Sequence, residues 1–182
     1  MKLFAAIKGI FSDDERVIED VCNRLETNGF KILKSQLVTY TYDEGCDHYE
    51  EHIGRPYFNK LIKYITKYPI FGMILESPKG LSEEEAVALL RSIAGSTMKI
   101  RPEYKEIRNT LEMCVPSMSL EEIEKYYVLP SEGTIRYDIP MKYGYKFDVT
   151  KNVVHTSDSK ENGERESKIF ERAVERENSV KQ

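Results

Sequence analysis

Ile70-Phe71-Gly72-Met73-Ile74-Leu75 is an apolar run held between Pro69 and Pro78. A run this short, bounded by helix-breaking residues, is read as a buried central strand. Ser82 and Glu85 follow at the spacing of a capping box, in which the hydroxyl and the carboxylate each satisfy a free backbone N–H. Behind them Ala86, Leu89, Leu90, Ile93 and Ala94 form one apolar stripe that ends at Gly95. A strand handing over directly to an amphipathic helix sets the pattern for the rest of the chain.

Upstream, Phe58, Leu61, Ile62 and Ile65 keep helical spacing after the break at Arg55-Pro56. Thr41 to Glu44 opens a short helix carrying His48, Tyr49 and His52. Phe30 to Tyr40 alternates partly and is read as a long strand. Ser12-Asp13-Asp14-Glu15 has capping-box spacing; Val17, Val21 and Leu25, with Ile18 and Cys22 beside them, line the face of the helix that follows, and Asn28-Gly29 stops it. Leu3 to Ile7 is a first strand, not a signal peptide. Downstream, Pro102 starts a helix with Tyr104, Ile107 and Leu111 inward, and Ser119 with Glu122 starts a second with Leu120 and Ile123 inward. Residues 98–132 thus read as a helical hairpin inserted in a loop. Gly133-Thr134-Ile135-Arg136, an aromatic loop (Tyr137, Tyr143, Tyr145, Phe147), a strand through Val153-Val154 and a last helix from about Lys160 complete the chain. The order predicts an α+β fold: a ferredoxin-like, split β-α-β sandwich with a four-stranded antiparallel sheet covered by helices. The domain spans 1–172, and 173–182 form a charged tail that extends the last helix or frays.

The 182 residues, 40% of them hydrophobic, suffice for one core. No apolar run reaches membrane-span length. The three cysteines, Cys22, Cys46 and Cys114, are scattered, which fits a reducing cytoplasm. A net charge of −4 argues against general nucleic-acid binding.

Of three histidines, His155 stands at a strand end in Asn152-Val153-Val154-His155-Thr156-Ser157-Asp158-Ser159, eleven residues before Glu166. An imidazole with a reference pKa near ~6.5 is mostly neutral at pH 7 and can act as a nucleophile.

With Ala5-Ala6-Ile7-Lys8, Asn28-Gly29-Phe30, His48-Tyr49 through Arg55-Pro56-Tyr57-Phe58, then Arg91, Gly95, Thr97, Gly133-Thr134-Ile135-Arg136 and the His155 segment in this order, the chain resembles the nucleoside diphosphate kinase family from about Lys2 to Phe170. The resemblance implies that His155 takes the γ-phosphate of a nucleoside triphosphate and passes it to a diphosphate in ping-pong fashion, aimed by Glu166. It implies that Lys8, Arg91, Thr97 and Arg136 hold phosphates, that Asn152 binds the sugar, that Tyr57 lies against the base, and that Tyr49 and Ser157 line the pocket. It also implies Mg²⁺ carried mainly by the nucleotide phosphates, and a cytoplasmic homo-oligomer. The chain departs from the family in having Gly9-Ile10 after the lysine, Tyr57 where phenylalanine is common, the 98–132 segment in place of a short turn, and Thr156 where glycine is usual. The bulk of Thr156 is expected to narrow the approach to the histidine. Gly9-Ile10 and Thr156 motivate a second reading, a nucleotide-binding regulator or scaffold that keeps the pocket but not the turnover. His48-Tyr49-Glu50-Glu51-His52 also fits the H-x-x-E-H pattern of inverted zinc proteases, against which two exposed histidines on a polar helix are the simpler reading.

Overall fold

The computed structural model describes residues 1–149 and 151–180. Strands β1 (Lys2–Lys8), β2 (Lys31–Val38), β3 (Ile70–Glu76) and, later in the chain, β6 (Val154–Thr156) form one sheet in the order β2-β3-β1-β6. Every pairing is antiparallel. The apolar run between the two prolines is therefore an interior strand, and the expected split β-α-β sandwich is the fold.

The sheet separates two cores because side chains alternate across a strand. Leu3, Ala5 and Ile7 of β1 join Met73 and Leu75 of β3 beneath helices α1 (Glu15–Thr27) and α4 (Glu83–Ala94). Phe4 and Ala6 join Ile70 and Ile74 on the other face, beneath α2 (Tyr42–His48), α3 (Phe58–Lys67) and α8 (Lys160–Val180). Helix α8 lies close against this second face at Gly72, where a Cβ would stand 2.4 Å from the Phe170 ring. Only glycine permits that approach. The helix runs on past residue 172 with Ala173 and Val174 buried in the same core. Residues 181 and 182 of the expected tail lie outside the described residues.

Ser82 and Ser119 each cap a helix reciprocally with a glutamate, as read from the sequence. Ser12 does not. Its hydroxyl bonds the carbonyls of Gly9 and Pro69 at 2.7 and 2.8 Å, and Asp14 is the N-cap of α1. Between α4 and α7 (Ile135–Tyr143), a small lobe is closed at its base by β4 (Lys99–Ile100) paired with β5 (Tyr127–Val128). It contains α5 (Arg108–Cys114), α6 (Leu120–Tyr126) and its own core of Met98, Leu111, Val115, Ile123, Tyr127 and Phe147. Ile107 and Leu120 face solvent instead of this core. For Ile107 the reason is that Pro102–Ile107 winds as a 3-10 helix, whose three-residue turn does not keep the α-helical stripe.

The expected aromatic loop is also corrected. Tyr137 and Tyr143 stand on α7, which begins after Thr134 and ends at Gly144 in the left-handed conformation. Pro140 lies inside it, and its buried residues Ile135, Ile139 and Pro140 make only a narrow stripe, so the sequence gives little helical signal. The Tyr143 and Tyr145 hydroxyls bond Asp20 at 3.0 Å and Asp14 at 2.7 Å, pinning this segment to α1.

Candidate active site

β6 reaches the sheet through β1 alone, with Ala6 opposite His155 and Ile7 opposite Val154. Paired residues point to the same face and residues two apart share it. Lys8, His155 and Ser157 therefore all face the α2/α3/α8 side. The same alternation sends Thr156, paired with Ala5, to the opposite face, where it is buried. Its bulk does not narrow the approach to the histidine, contrary to expectation.

From α8, Glu166 drops onto the ring: its Oε1 lies 2.9 Å from His155 Nε2. Ser157 Oγ donates to Glu166 Oε2 at 2.6 Å and accepts from the Phe4 N–H at 3.0 Å. When Glu166 is ionised it can only accept, so in that state Nε2 carries the proton and Nδ1 keeps its lone pair. Two further rings confine the imidazole edge-on, His48 at 4.8 Å and Tyr49 at 5.4 Å between centroids.

The electrostatics favour a neutral ring. Burial, then the nearby cations Lys8 and Arg136, hold the pKa of His155 down at about 3. Burial also raises Glu166 to about 7, against smaller lowering by His48 and the Ser157 hydroxyl. Lys8 is lowered to about 7 by burial and then by Arg136, with Asp148 acting in the opposite sense. Arg136, near the start of α7, forks across the edge of the sheet: Nη2 donates to the Val154 carbonyl at 2.8 Å and Nη1 to the Gly95 carbonyl. Burial and Arg91 lower Arg136 to about 10.

Arg91, in the last turn of α4, is exposed, and Thr97 is half-buried just beyond it. Neither side chain has a hydrogen-bond partner among the described residues. Asn152 and Arg136 flank a small cavity with Asp148 and Val153. Asn152 Oδ1 and Arg136 Nε are both buried there without a protein partner among the described residues. Tyr57 is exposed, and its hydroxyl meets His52 Nδ1 at 3.0 Å. The structure thus gathers Lys8, Tyr49, Arg136, Ser157 and Glu166 about His155, with Arg91 beside Arg136 and Tyr57 at the outer rim.

His48 was missed. It is not an exposed histidine but 1% exposed, its ring centroid 4.8 Å from that of His155. Gly45, His48 and Tyr49 share one helix face, so the pocket assigned to Tyr49 already implied its direction. The zinc-protease pattern does not form. α2 ends at His48 and a 3-10 turn, Glu50–His52, follows, so His48 and His52 do not share one α-helical face.

Comparison with known proteins gives one family. The family model described as Nucleoside diphosphate kinase matches residues 8–120. A nucleoside diphosphate kinase of Thermobifida fusca is 32% identical over 154 residues, 85% of this chain and 84% of that protein. One from Methanosphaera stadtmanae is 30% identical over 155 residues, covering 85% and 76%. Among solved structures, the Halobacterium salinarum nucleoside diphosphate kinase in complex with CDP superposes with a TM-score of 0.63 at 24% identity, covering 93% of this chain and 86% of that one. The Aquifex aeolicus enzyme gives 0.62 at 20% identity, covering 93% of each.

Proposed function

This chain belongs to the nucleoside diphosphate kinase family, and from that premise we propose that it moves the γ-phosphoryl group of a nucleoside triphosphate to a nucleoside diphosphate through a phosphohistidine at His155. The reading is carried by one observation: an imidazole whose Nε2 rests on a buried carboxylate at 2.9 Å while two cations, Lys8 and Arg136, face it.

Chemically, Nδ1 attacks the γ-phosphorus in line, the bond to the β-γ bridging oxygen breaks, and the nucleoside diphosphate leaves with that electron pair. The ring keeps its Nε2 proton and gains positive charge, which Glu166 stabilises. A terminal oxygen of the second diphosphate then attacks the same phosphorus, and the P–N bond returns its pair to Nδ1. One nucleotide site serves both halves in turn. A phosphoimidazole suits this because it is labile enough to give the group back. No strong base is needed, only the tautomer and direction that Glu166 supplies.

Such a transition state spreads charge over the equatorial oxygens, so positioned cations dominate. Lys8, Arg91, Thr97 and Arg136 hold phosphates in this reading, with Arg136 offering the fork geometry that suits phosphate oxygens. Asn152 takes a sugar hydroxyl, and Tyr57 stacks on the base from the rim, which gives broad base tolerance. The one cluster of potential metal ligands among the described residues is His48, His155 and Glu166. That nitrogen-rich set is unsuited to Mg²⁺, which prefers oxygens in octahedral array. Mg²⁺ therefore fits as cargo of the polyphosphate, offsetting charge that the pocket cations leave uncompensated. A cytoplasmic homo-oligomer belongs to the same proposal, and light scattering measures its assembly.

The test mixes protein, ATP and Mg²⁺. An acid-labile, base-stable phosphate adduct that GDP discharges is the expected result. No adduct on the wild-type chain would favour the regulator, and an adduct surviving His155→Ala would assign the nucleophile elsewhere.

A further inference from the structure

The segment that carries Tyr49 and Tyr57 has little backbone structure of its own between α2 and α3: a 3-10 turn at Glu50–His52, then turns through Gly54. It is fastened from outside, by α8. Arg165 Nη1 donates to the Asp47 carbonyl at 2.6 Å and lies 3.0 Å from Glu50 Oε1. Its Nη2 donates to Glu51 Oε2 at 2.7 Å and to Asn162 Oδ1 at 3.1 Å. Further along, Arg172 meets Asp47 at 3.3 Å. Arg176 meets Glu44 at 2.9 Å and the Thr39 carbonyl at 2.7 Å, and Glu177 accepts from the Thr39 N–H at 2.6 Å. Arg165, Arg172 and Arg176 are spaced seven and four apart, hence on one helical face. Glu44, Asp47 and Glu51 form the matching acidic series.

We propose that this arginine face of α8 is a latch holding the nucleotide-facing segment 42–57 in place, with Arg165 as its principal positioning residue. The inference rests on the kinase reading for its effect on turnover, though not for the latch itself. Arg165 directly precedes Glu166, so one turn of helix both aims the histidine and fixes the segment that bears Tyr49, His52 and Tyr57. Arg165 also neutralises Glu50 and Glu51, and Glu51 acts electrostatically on both His155 and Glu166. Fixing the segment acts on nucleotide binding more than on the chemical step. Charge-assisted contacts at a partly buried guanidinium outweigh the two outer, more exposed pairs.

The test uses the full chain and Arg165→Ala, Arg165→Lys and Arg176→Gln. Arg165→Ala should raise KM for the nucleoside diphosphate about tenfold while kcat stays within about threefold, with Arg165→Lys intermediate and Arg176→Gln smaller. Amide hydrogen exchange should quicken in residues 42–57 of Arg165→Ala, not in β1 or β3, and saturating nucleotide should restore protection. Unchanged exchange in 42–57, exchange rising equally across the sheet, or a fall in kcat with KM unchanged would each overturn the latch. Absence of phosphotransfer by the wild-type chain would overturn the kinase reading instead, and the exchange measurement would still decide the latch.

Discussion

Replacing Glu166 by glutamine should make the protein slower and more stable at once. The fold raises this carboxyl from 4.5 to about 7, chiefly by burial. Holding it ionised above pH 7 therefore costs the folded state roughly 3 kcal/mol. The sign follows from the two pKa values. Below about pH 4.5 the group is protonated in folded and unfolded chains alike and the penalty is absent; it grows between 4.5 and 7 and is complete above 7. Glutamine removes it and keeps both existing contacts. Its carbonyl can accept from His155 Nε2, and its NH₂ can donate to Ser157 Oγ, whose proton turns to the Phe4 carbonyl 3.0 Å away. The melting temperature of Glu166→Gln should therefore match wild type near pH 4.5 and exceed it by about 6–12 °C at pH 8. Phosphohistidine formation should fall, because the charge that stabilises the developing imidazolium is lost. A charge-assisted hydrogen bond of ~1.5–3 kcal/mol corresponds to roughly 10- to 150-fold in rate. Rapid-quench measurement of the acid-labile adduct, beside calorimetric melts across pH 4.5–8, checks both. A stability difference that does not change with pH, or an adduct rate equal to wild type, would refute the reasoning.

Lys8 sits near pKa 7 in the free protein because it is buried beside Arg136, and a polyphosphate would restore its proton. Nucleotide binding at pH 8 should then take up close to one proton, and affinity should decline as pH rises through 7, both measurable by titration calorimetry in buffers of different ionisation heat; Lys8→Met should lose the uptake. Arg136→Lys keeps the charge but not the fork to Val154 and Gly95, so turnover should fall by about 2–4 kcal/mol of barrier in a coupled phosphotransfer assay. Gly9→Ala should destabilise far more than Gly54→Ala in thermal melts. Both have positive φ, but a Cβ at Gly9 would stand 1.7 Å from the Tyr64 hydroxyl, whereas at Gly54 nothing lies within 4 Å.

The legible parts of this molecule were those written in local patterns. Pro69 and Pro78 around six apolar residues announced β3, and Ser82 with Glu85 announced α4. His155 and Glu166 lie close in sequence, one on a strand end and one on the helix after it, so their meeting was foreseeable. Thr156 is placed by the same period-two alternation that places His155, which turns it to the opposite face of the sheet. α7 was hidden because Pro140 interrupts its pattern and few of its residues face a core. Arg165 was hidden for another reason: Asp47, Glu50 and Glu51 lie more than a hundred residues away, and no local spacing records a partner at that distance. The 3-10 character of Pro102–Ile107 likewise depends on a lobe whose closure the sequence does not spell out.

That lobe joins the main body through a two-stranded clasp, Lys99–Ile100 against Tyr127–Val128. Its entrance and exit are consequently neighbours, whatever lies between them. The chain can be lengthened, trimmed or exchanged inside that span while Thr97 on one side and Arg136 on the other keep their separation. The two flanking segments are thereby insulated from changes in the intervening residues, which makes this the natural place in the molecule for an added recognition element or a grafted reporter.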